Sequence, residues 1–438
     1  MHVITQNRKV TYVRYRILAF LFISVVINYM DRSNISVAAT SLSKDFNLSS
    51  VQLGLIFSAF GWTYVALQIP GGLLTDRYGP RLLYSISLAG WSLVTLLQGF
   101  VNGFATLFGL RLATGALEAP SYPINNHVVT GWFPENERAS AIAVYTSGQF
   151  IGLAFLTPVM AAIQYYLEWR GLFIITGSVG IIWGLLWYLF YRDPSEHKRV
   201  SQGELDHIEK GGGIIRFRPE NKSSDTPAFT WINLKEVFSH RKLWGIYLGQ
   251  FAITSSLWFF LTWFPTYLVG YRGFNFIKTG FLASIPFLAA FAGILLSGFL
   301  SDFLVKKKIP PTVARKAPVI TGLLLSASII GANYVNSPAL IILFMAIAFF
   351  GNGMASITWV FVSLLAPRNL IGITGGAFNF IGNLSSVFVP FIIGYLVRKG
   401  NFEPALVFIS VLAFFGIGCY VFLVGKIERV TTYNRTSN

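Results

Sequence analysis

Two apolar stretches long enough to cross a bilayer carry ionisable side chains in mid-span: Asp31 and Arg32 in the first, Arg111 and Glu118 in the fourth. A charge at the bilayer centre costs about 2.5–3.5 kcal/mol on insertion scales, so such residues face a protein interior or a water cavity and mark ion or substrate routes. Burial disfavours the charged form of a carboxyl group and a neighbouring guanidinium favours it. An acid balanced between the two, as expected for Asp31, can bind and release a proton. The competing reading is a permanent ion pair that only fixes helix packing, but one carboxylate would suffice for that. Arg111 and Glu118 are seven residues apart, two helical turns, and project from one face. A guanidinium stays charged in any protein environment, so Arg111 can hold a carboxylate ionised until a proton or an anion displaces it. Arg32 lies about 100° around the helix from Asp31, so the two line neighbouring faces of a cavity. Its planar fork suits a carboxylate, either that of a bound anion or that of an acidic neighbour.

The elements that must position these groups follow from composition. The 438 residues are 54% hydrophobic and 12% charged, with mean hydropathy +0.58, too apolar for an ordinary soluble protein. Spans of about 20 residues between polar breaks predict twelve membrane helices, near 17–40, 53–75, 82–102, 105–130, 139–165, 170–191, 243–269, 277–304, 315–333, 338–363, 371–397 and 402–425. The fold class is all-α membrane protein. The basic start followed by residues 17–29 has the look of a signal peptide, but the apolar run continues and is read as a retained helix. The formal charge of +16 sits in short loops flanking the spans, which excludes a nucleic-acid surface and fits the positive-inside rule. Arg8, Lys9, Arg14 and Arg16, Arg77 and Arg81, Lys306 to Lys308, Arg315 and Lys316, and Lys426 and Arg429 all fall on one side, with both termini. Arg398 and Lys399 fall on the other.

Residues 192–242 form the one long polar stretch, with Gly211, Gly212 and Gly213 in its middle, and divide the chain into an N-terminal six-helix half (1–191), a cytoplasmic linker and a C-terminal half (243–438). The halves echo each other. GGLLTDRYGPR (71–81) closes the second span and SGFLSDFLVKK (297–307) the eighth, with Gly72 and Asp76 each 226 positions before Gly298 and Asp302. Pro134 and Pro367 are 233 apart, and Pro158 and Pro390 are 232 apart. Two six-helix halves related about the membrane normal, with a midplane site between them, are the architecture of the major facilitator superfamily. In the first loop, Gly72 is expected to permit close helix approach, Asp76 to accept from a helix N-terminus, and Arg77 to anchor at the anionic leaflet, so that Asp76, Arg77 and Asp302 form a gating loop.

NYMDRSNISVAA (28–39), FSAFGWTYVALQIPGGLLTDRYG (57–79), RLATGALEAPSYPINN (111–126), GWFPENERASA (131–141), YTSGQFIGLAFLTP (145–158), GNGMASITWVFVSLLAP (351–367) and GGAFNFIGNLSS (375–386) closely resemble the anion:cation symporter family of that superfamily. The resemblance runs from about residue 15 to 427. It implies proton-coupled uptake of a sugar-acid anion, D-galactonate foremost, across a bacterial inner membrane. Glucarate, galactarate, a hexuronate or an acidic amino acid, carried by symport or exchange, is the alternative. The resemblance further implies Asp31 and Glu118 as the proton-coupling pair, Arg111 as their switch partner and Arg32 as the ligand of a substrate carboxylate. Tyr29, Tyr64, Gln149, Ser356, Thr358, Trp359 and Asn379 match substrate-lining positions. Amides, hydroxyls and aromatic rims suit a polyhydroxylated chain, although each residue taken singly also serves as an interhelical hydrogen bond or belt residue.

Prolines and glycines at Pro70, Gly71, Gly72, Pro120, Pro123, Pro158, Gly375, Gly376 and Pro390 are expected to interrupt spans and permit bending. His127 invites a third relay role that the resemblance does not support. Cys419 reads as a packing residue. Without a phosphate-binding Gly-rich loop, HExxH or paired CxxC, the expectation is no enzyme, no metal and no cofactor, with protons as coupling ion and a monomer in the bilayer.

Overall fold

A helix rises 1.5 Å per residue, and this simple fact resolves the topology. The computed structural model describes residues 11–215 and 231–431, and every regular element among them is helical. Helix α1 spans Val13–Asp45. The next helical run, Ser50–Gln98, has 49 residues, about 74 Å of helix against a hydrocarbon core of about 30 Å. It is two spans, α2 (50–78) and α3 (80–98), hinged where Gly79 takes φ 73° and ψ 160°. A positive φ is cheap only for glycine, so the turn sits there. Helix α4 comprises Phe104–Glu118 and Ser121–Trp132. The 56-residue run Glu135–Phe190 likewise folds into α5 (135–167) and α6 (169–190) at Glu168, φ 59°.

After the linker come α7 (Arg241–Thr262, continued by Phe264–Thr266 and a π-helical turn Tyr267–Tyr271) and α8 (Phe276–Lys306). Then follow α9 (Pro311–Ala327 and Ser328–Tyr334) and α10 (Pro338–Ala355, running on to Leu365). The last two are α11 (Ile371–Asn383 and Ser385–Leu396) and α12 (Glu403–Gly418 and Cys419–Val424). Twelve spans result, close to the expected ranges. The expected proline breaks do not occur: helix continues through Pro70, Pro158 and Pro390. Only Pro120 stands at a junction, between the two parts of α4. Nor does Gly72 mark a close approach, since a Cβ there would meet open space. The contact is one residue earlier, where a Cβ on Gly71 would lie 3.0 Å from Pro120 Cα.

Helix α1 begins four residues before its expected start because the linker caps it. The short linker helix Gln202–Lys210 carries Glu204, fully buried, which accepts from the Val13 and Arg14 amides at 3.0 and 3.1 Å, from the Thr11 hydroxyl at 2.7 Å and from Arg14 Nη1 at 3.2 Å. A carboxylate there satisfies orphan N–H groups and opposes the helix dipole. Arg14 is therefore not a free membrane anchor: it bridges Glu204 and Glu137. Lys316 is likewise turned inward, donating to the Tyr420 carbonyl at 2.6 Å. Arg8 and Lys9 lie outside the described residues. A second linker helix, Trp231–Ser239, lies against α7, where the Tyr247 hydroxyl donates to the Val237 carbonyl at 3.3 Å.

The halves meet on the face away from these linker helices. A Cβ on Gly54 would lie 2.7 Å from the Pro390 carbonyl oxygen, and one on Gly61 would strike Ser386. A Cβ on Gly280 of α8 would lie 2.7 Å from Ala161 Cβ of α5. Aromatic rings fill what lies between: Phe57 against Trp263, Phe60 against Trp258, and Phe150 against Phe349, with centroids 5.2, 5.9 and 5.9 Å apart. These contacts use the first part of α2, α8 and α10, the middle and last part of α5, and the last part of α7 and α11, so they form a seal on one side of the membrane midplane. Toward the linker face, Ile69, Leu73, Leu74 and Tyr78 of α2 are exposed.

Two outcomes test this architecture. Glu204→Ala strips the buried Arg14 of one partner and is expected to destabilise by about 3 kcal/mol, read as a lowered melting midpoint in detergent, while Glu204→Gln recovers part of the loss. Gly54→Leu should prop the seal open, so that a cysteine placed at Phe57 becomes alkylated in that background and stays protected in the parent.

Candidate functional site

Asp31 and Arg32, neighbours on α1, point to different helices, as 100° of rotation requires. The Asp31 carboxylate is completely buried against α3, where Oδ2 accepts from Trp91 Nε1 at 3.1 Å and from the Ser92 hydroxyl at 3.5 Å. Arg32 turns toward α2 and α4. Its Nε donates to Glu118 Oε1 in a short, buried ion pair. The guanidinium is collared by three rings, 4.9 Å from the centroid of Tyr29, 5.1 Å from Phe60 and 4.8 Å from Tyr64. Cation–π contact strengthens when water is excluded, as it is here.

Arg111 completes a quartet. It is 0% exposed, its guanidinium lies 5.4 Å from the Phe60 ring centroid, and it stands within electrostatic range of Glu118, Asp31 and Arg32. All three of its guanidinium nitrogens lack a hydrogen-bond partner. Two carboxylates and two guanidiniums thus share one buried volume whose formal charge is zero. Helix α4 reaches α2 closely enough to build it because Gly115 has no side chain: a Cβ would fall 2.1 Å from the Phe60 carbonyl oxygen.

The expected pairing is redistributed. Arg32, expected to face a substrate carboxylate or an acidic neighbour, is held by Glu118, whereas Arg111, expected to partner the acids directly, has its donors uncommitted. Tyr29 and Tyr64 join the cluster, and Tyr122 extends it by donating from its hydroxyl to that of Tyr29 at 3.4 Å. The remaining expected residues lie elsewhere. Gln149 is half-buried on α5. Ser356 donates to the Asn352 carbonyl of its own helix at 2.9 Å, and Thr358 is buried and donates to Gln250 Oε1 at 2.7 Å. Trp359 is exposed, its ring packed on Phe378 at 4.9 Å, and the Asn379 side-chain carbonyl accepts from Asn383 at 3.0 Å. These four belong to α10 and α11 and contribute neutral groups only.

The expected gating loop is open to solvent. Asp76 and Arg77 are exposed, with Asp76 Oδ1 4.0 Å from His127 Nδ1. His127 thus meets the loop rather than the buried acids. Asp302 lies on α8, and its side chain is outside the described residues. Among the described residues no cluster of three or more His, Cys, Asp or Glu could hold a metal. Trp91, Phe60 and Gln250 have no signal of their own in the sequence, since an aromatic residue or amide in an apolar helix reads as core or interhelical packing.

A family model described as Major Facilitator Superfamily matches residues 21–390. The chain is 52% identical over 417 residues to the D-galactonate transporter of Escherichia coli O6:H1, covering 95% of this chain and 97% of that protein. It is 42% identical over 434 residues to the probable galactarate/D-glucarate transporter GudP of Bacillus subtilis (strain 168), covering 98% and 95%. It is 40% identical over 437 residues to the probable galactarate/D-glucarate transporter GarP of Escherichia coli (strain K12), covering 98% of each. Among solved structures, a bacterial homolog of the human lysosomal transporter Spinster in an inward-facing and occupied conformation superposes with a TM-score of 0.73 at 18% identity, covering 93% of this chain and 96% of that chain. That likeness concerns the fold.

The quartet itself can be tested by stability. Arg32→Ala leaves Glu118 buried without its counter-ion and is expected to cost about 3–5 kcal/mol, whereas replacing both partners by leucine costs less than the single change. Melting midpoints of the two singles and the double variant in detergent give the comparison.

Proposed function

Because the chain belongs to the Major Facilitator Superfamily and is a membrane transporter rather than an enzyme, we propose that it takes up a sugar-acid anion, D-galactonate foremost, together with protons across the bacterial inner membrane. The relatives carry the substrate class. The observation that supports proton coupling is the ion pair between Arg32 and Glu118 beside the uncommitted donors of Arg111.

The chemistry follows from charge balance. A proton arriving at Glu118 neutralises it and breaks the pair, freeing the Arg32 fork for the carboxylate of the incoming anion. One proton and one monoanion enter together, so the buried volume keeps its formal charge and never holds an uncompensated ion, which would cost several kcal/mol. Tyr29 and Tyr64 supply a hydroxyl-bearing wall for a polyol chain. From the other half, Ser356, Thr358, Trp359, Asn379 and, from α5, Gln149 close on the bound anion as residues 1–191 and 243–438 rock about it, tethered by 192–242. Asp31, held by Trp91 and Ser92, offers a second proton site. Uptake with two protons carries net +1 inward and gains about 2.3 kcal/mol per 100 mV of membrane potential.

The positive-inside bias places both termini in the cytoplasm, so the seal of glycines and aromatic rings lies on the periplasmic side and the exposed end of α2 on the cytoplasmic side. On this reading the structure is inward-facing, and the loop of Asp76, Arg77 and Asp302 engages when the cytoplasmic side closes. The carrier works as a monomer and needs no cofactor beyond protons. A second reading is favoured by the state of Arg111. Galactarate and glucarate carry two carboxylates, and a second guanidinium with free donors can accept the further one.

In proteoliposomes, an inward proton gradient should drive accumulation of labelled D-galactonate. Glu118→Gln should abolish accumulation and Asp31→Asn should lower it, each while leaving counterflow. Accumulation unchanged in both variants would show that neither acid couples protons. Galactarate outcompeting galactonate in counterflow would select the second reading.

A further inference from the structure

Below the quartet, toward the linker face, the interior of the N-terminal half stays polar where it could have been apolar. On α4, Arg111, Glu118 and Asn125 recur every seven residues and so share one face; Ala119 and Pro120 remain in right-handed helical conformation, which preserves the phase. On α1, Ser24, Asn28 and Asp31 share a face by the same spacing rule, and on α3, Tyr84, Trp91 and Gln98 do. The three faces converge. Trp91 donates to Asp31, Asn28 stands beside Glu118, and the Tyr84 hydroxyl faces Ser24 and Asn125 within electrostatic range of Glu118 and Tyr145, while on the seal side of the quartet Gln98 Nε2 donates to the Thr114 hydroxyl at 3.2 Å. The Tyr145 hydroxyl in turn donates to Oδ1 of exposed Asn126 at 3.1 Å.

This seam is both buried and under-satisfied. Asn28, Tyr84, Ser121 and Asn125 are each at most 2% exposed. Both amide atoms of Asn28, the Tyr84 hydroxyl, the Ser121 hydroxyl, Asn125 Oδ1 and Glu118 Oε2 make no hydrogen bond of full geometry within the protein, although Asn28 approaches Glu118, and the Tyr84 hydroxyl approaches Ser24 and Asn125, closely enough for a polar interaction. A buried polar atom without a partner costs about 1–3 kcal/mol, and groups of this kind are characteristically satisfied by internal water. Ser24 is different: it is engaged by the Phe20 carbonyl and Trp183, each at 2.9 Å, and it closes one side of the seam.

We infer that Asn28, Ser121, Asn125 and Tyr84 hold a file of water molecules that carries the coupled proton from Glu118 to the cytoplasmic face through the interior of the N-terminal half, rather than through the gap between the halves. This inference rests on the symport reading above. The proton leaves Glu118 Oε2 and passes along the file over about 10 Å, the two helical turns from Glu118 to Asn125. It emerges past Tyr145 and exposed Asn126. Tyr84 remains neutral throughout, accepting one hydrogen bond and donating another, while the rings of Trp91 and Trp187 fix its position, the latter at 4.6 Å.

Counterflow exchanges labelled for unlabelled anion and does not require the proton to leave, whereas gradient-driven uptake does, and the pair of assays isolates proton passage. In proteoliposomes of the full chain, Tyr84→Phe and Asn125→Ala are expected to lower gradient-driven D-galactonate uptake about 10-fold or more while counterflow stays within about twofold of the parent. Asn125→Ser, which can still hold water, is expected to recover the uptake lost in Asn125→Ala. Unaffected uptake in both Tyr84→Phe and Asn125→Ala would place the exit in the gap between the halves. Loss of counterflow together with uptake in all variants would assign these groups to folding or anion binding. Either result overturns the inference. Absence of counterflow in the parent would instead overturn the symport reading itself.

Discussion

The ion pair between Arg32 and Glu118 is the constraint around which the rest of the N-terminal half is built. Each partner alone would be prohibitively placed, since an unpaired charge in a low-dielectric interior carries several kcal/mol of desolvation. Together with Asp31 and Arg111 they sum to no formal charge, and the surrounding structure serves to keep them together. Gly115 lets α4 close on α2, and the rings of Tyr29, Phe60 and Tyr64 exclude water around the guanidinium. Trp91 and Ser92 occupy one oxygen of Asp31. In a balanced group of this kind the arrival of a single proton or a single anion would leave a charge without its partner, and this is the property on which the proposed coupling rests.

The two halves share a topology and divide the chemistry. The four charges of the quartet belong to α1 and α4, while the expected contributions from α10 and α11 are hydroxyl, amide and indole groups. Neutral groups there leave the charge balance across the interface undisturbed. The seal that joins the halves is built from backbone approach at Gly54, Gly61 and Gly280 and from aromatic faces such as Phe57 on Trp263. Such contacts are short-ranged and can be made or broken as rigid units rock, because no buried charge has to be exposed when they part.

Much of this was legible in the chain. Polar breaks every 20 or so residues placed the twelve spans, and the echoes of Asp76 with Asp302 and of Pro158 with Pro390 revealed the halves. The rotation of 100° between Asp31 and Arg32 correctly separated their directions. What was not legible was who meets whom. Arg32 and Arg111 are equally plausible partners for Glu118 by type, and only the packing of α1 beside α4 selected Arg32. The prolines misled because a proline removes one hydrogen bond without dictating a turn, whereas Gly79 and Glu168, where the chain does turn, fall inside the polar breaks between the expected spans. Glu204 was invisible as a cap, since nothing local ties a linker carboxylate to a helix start some 190 residues earlier.

By itself, then, the sequence determined the quantities that depend on residue type and spacing: membrane class, the number of spans, the presence of buried charge, and the periodicities that put Arg111, Glu118 and Asn125 on one face. Those follow from transfer free energy and from the 3.6-residue turn, which act along the chain. Tertiary structure alone decided the pairing of Arg32 with Glu118, the burial of Asp31 under Trp91, the side on which the halves are sealed, and the convergence of three polar faces inside one bundle. Those depend on distances between segments far apart in sequence, and electrostatic and packing energies at such contacts change over a few ångströms that no residue spacing encodes.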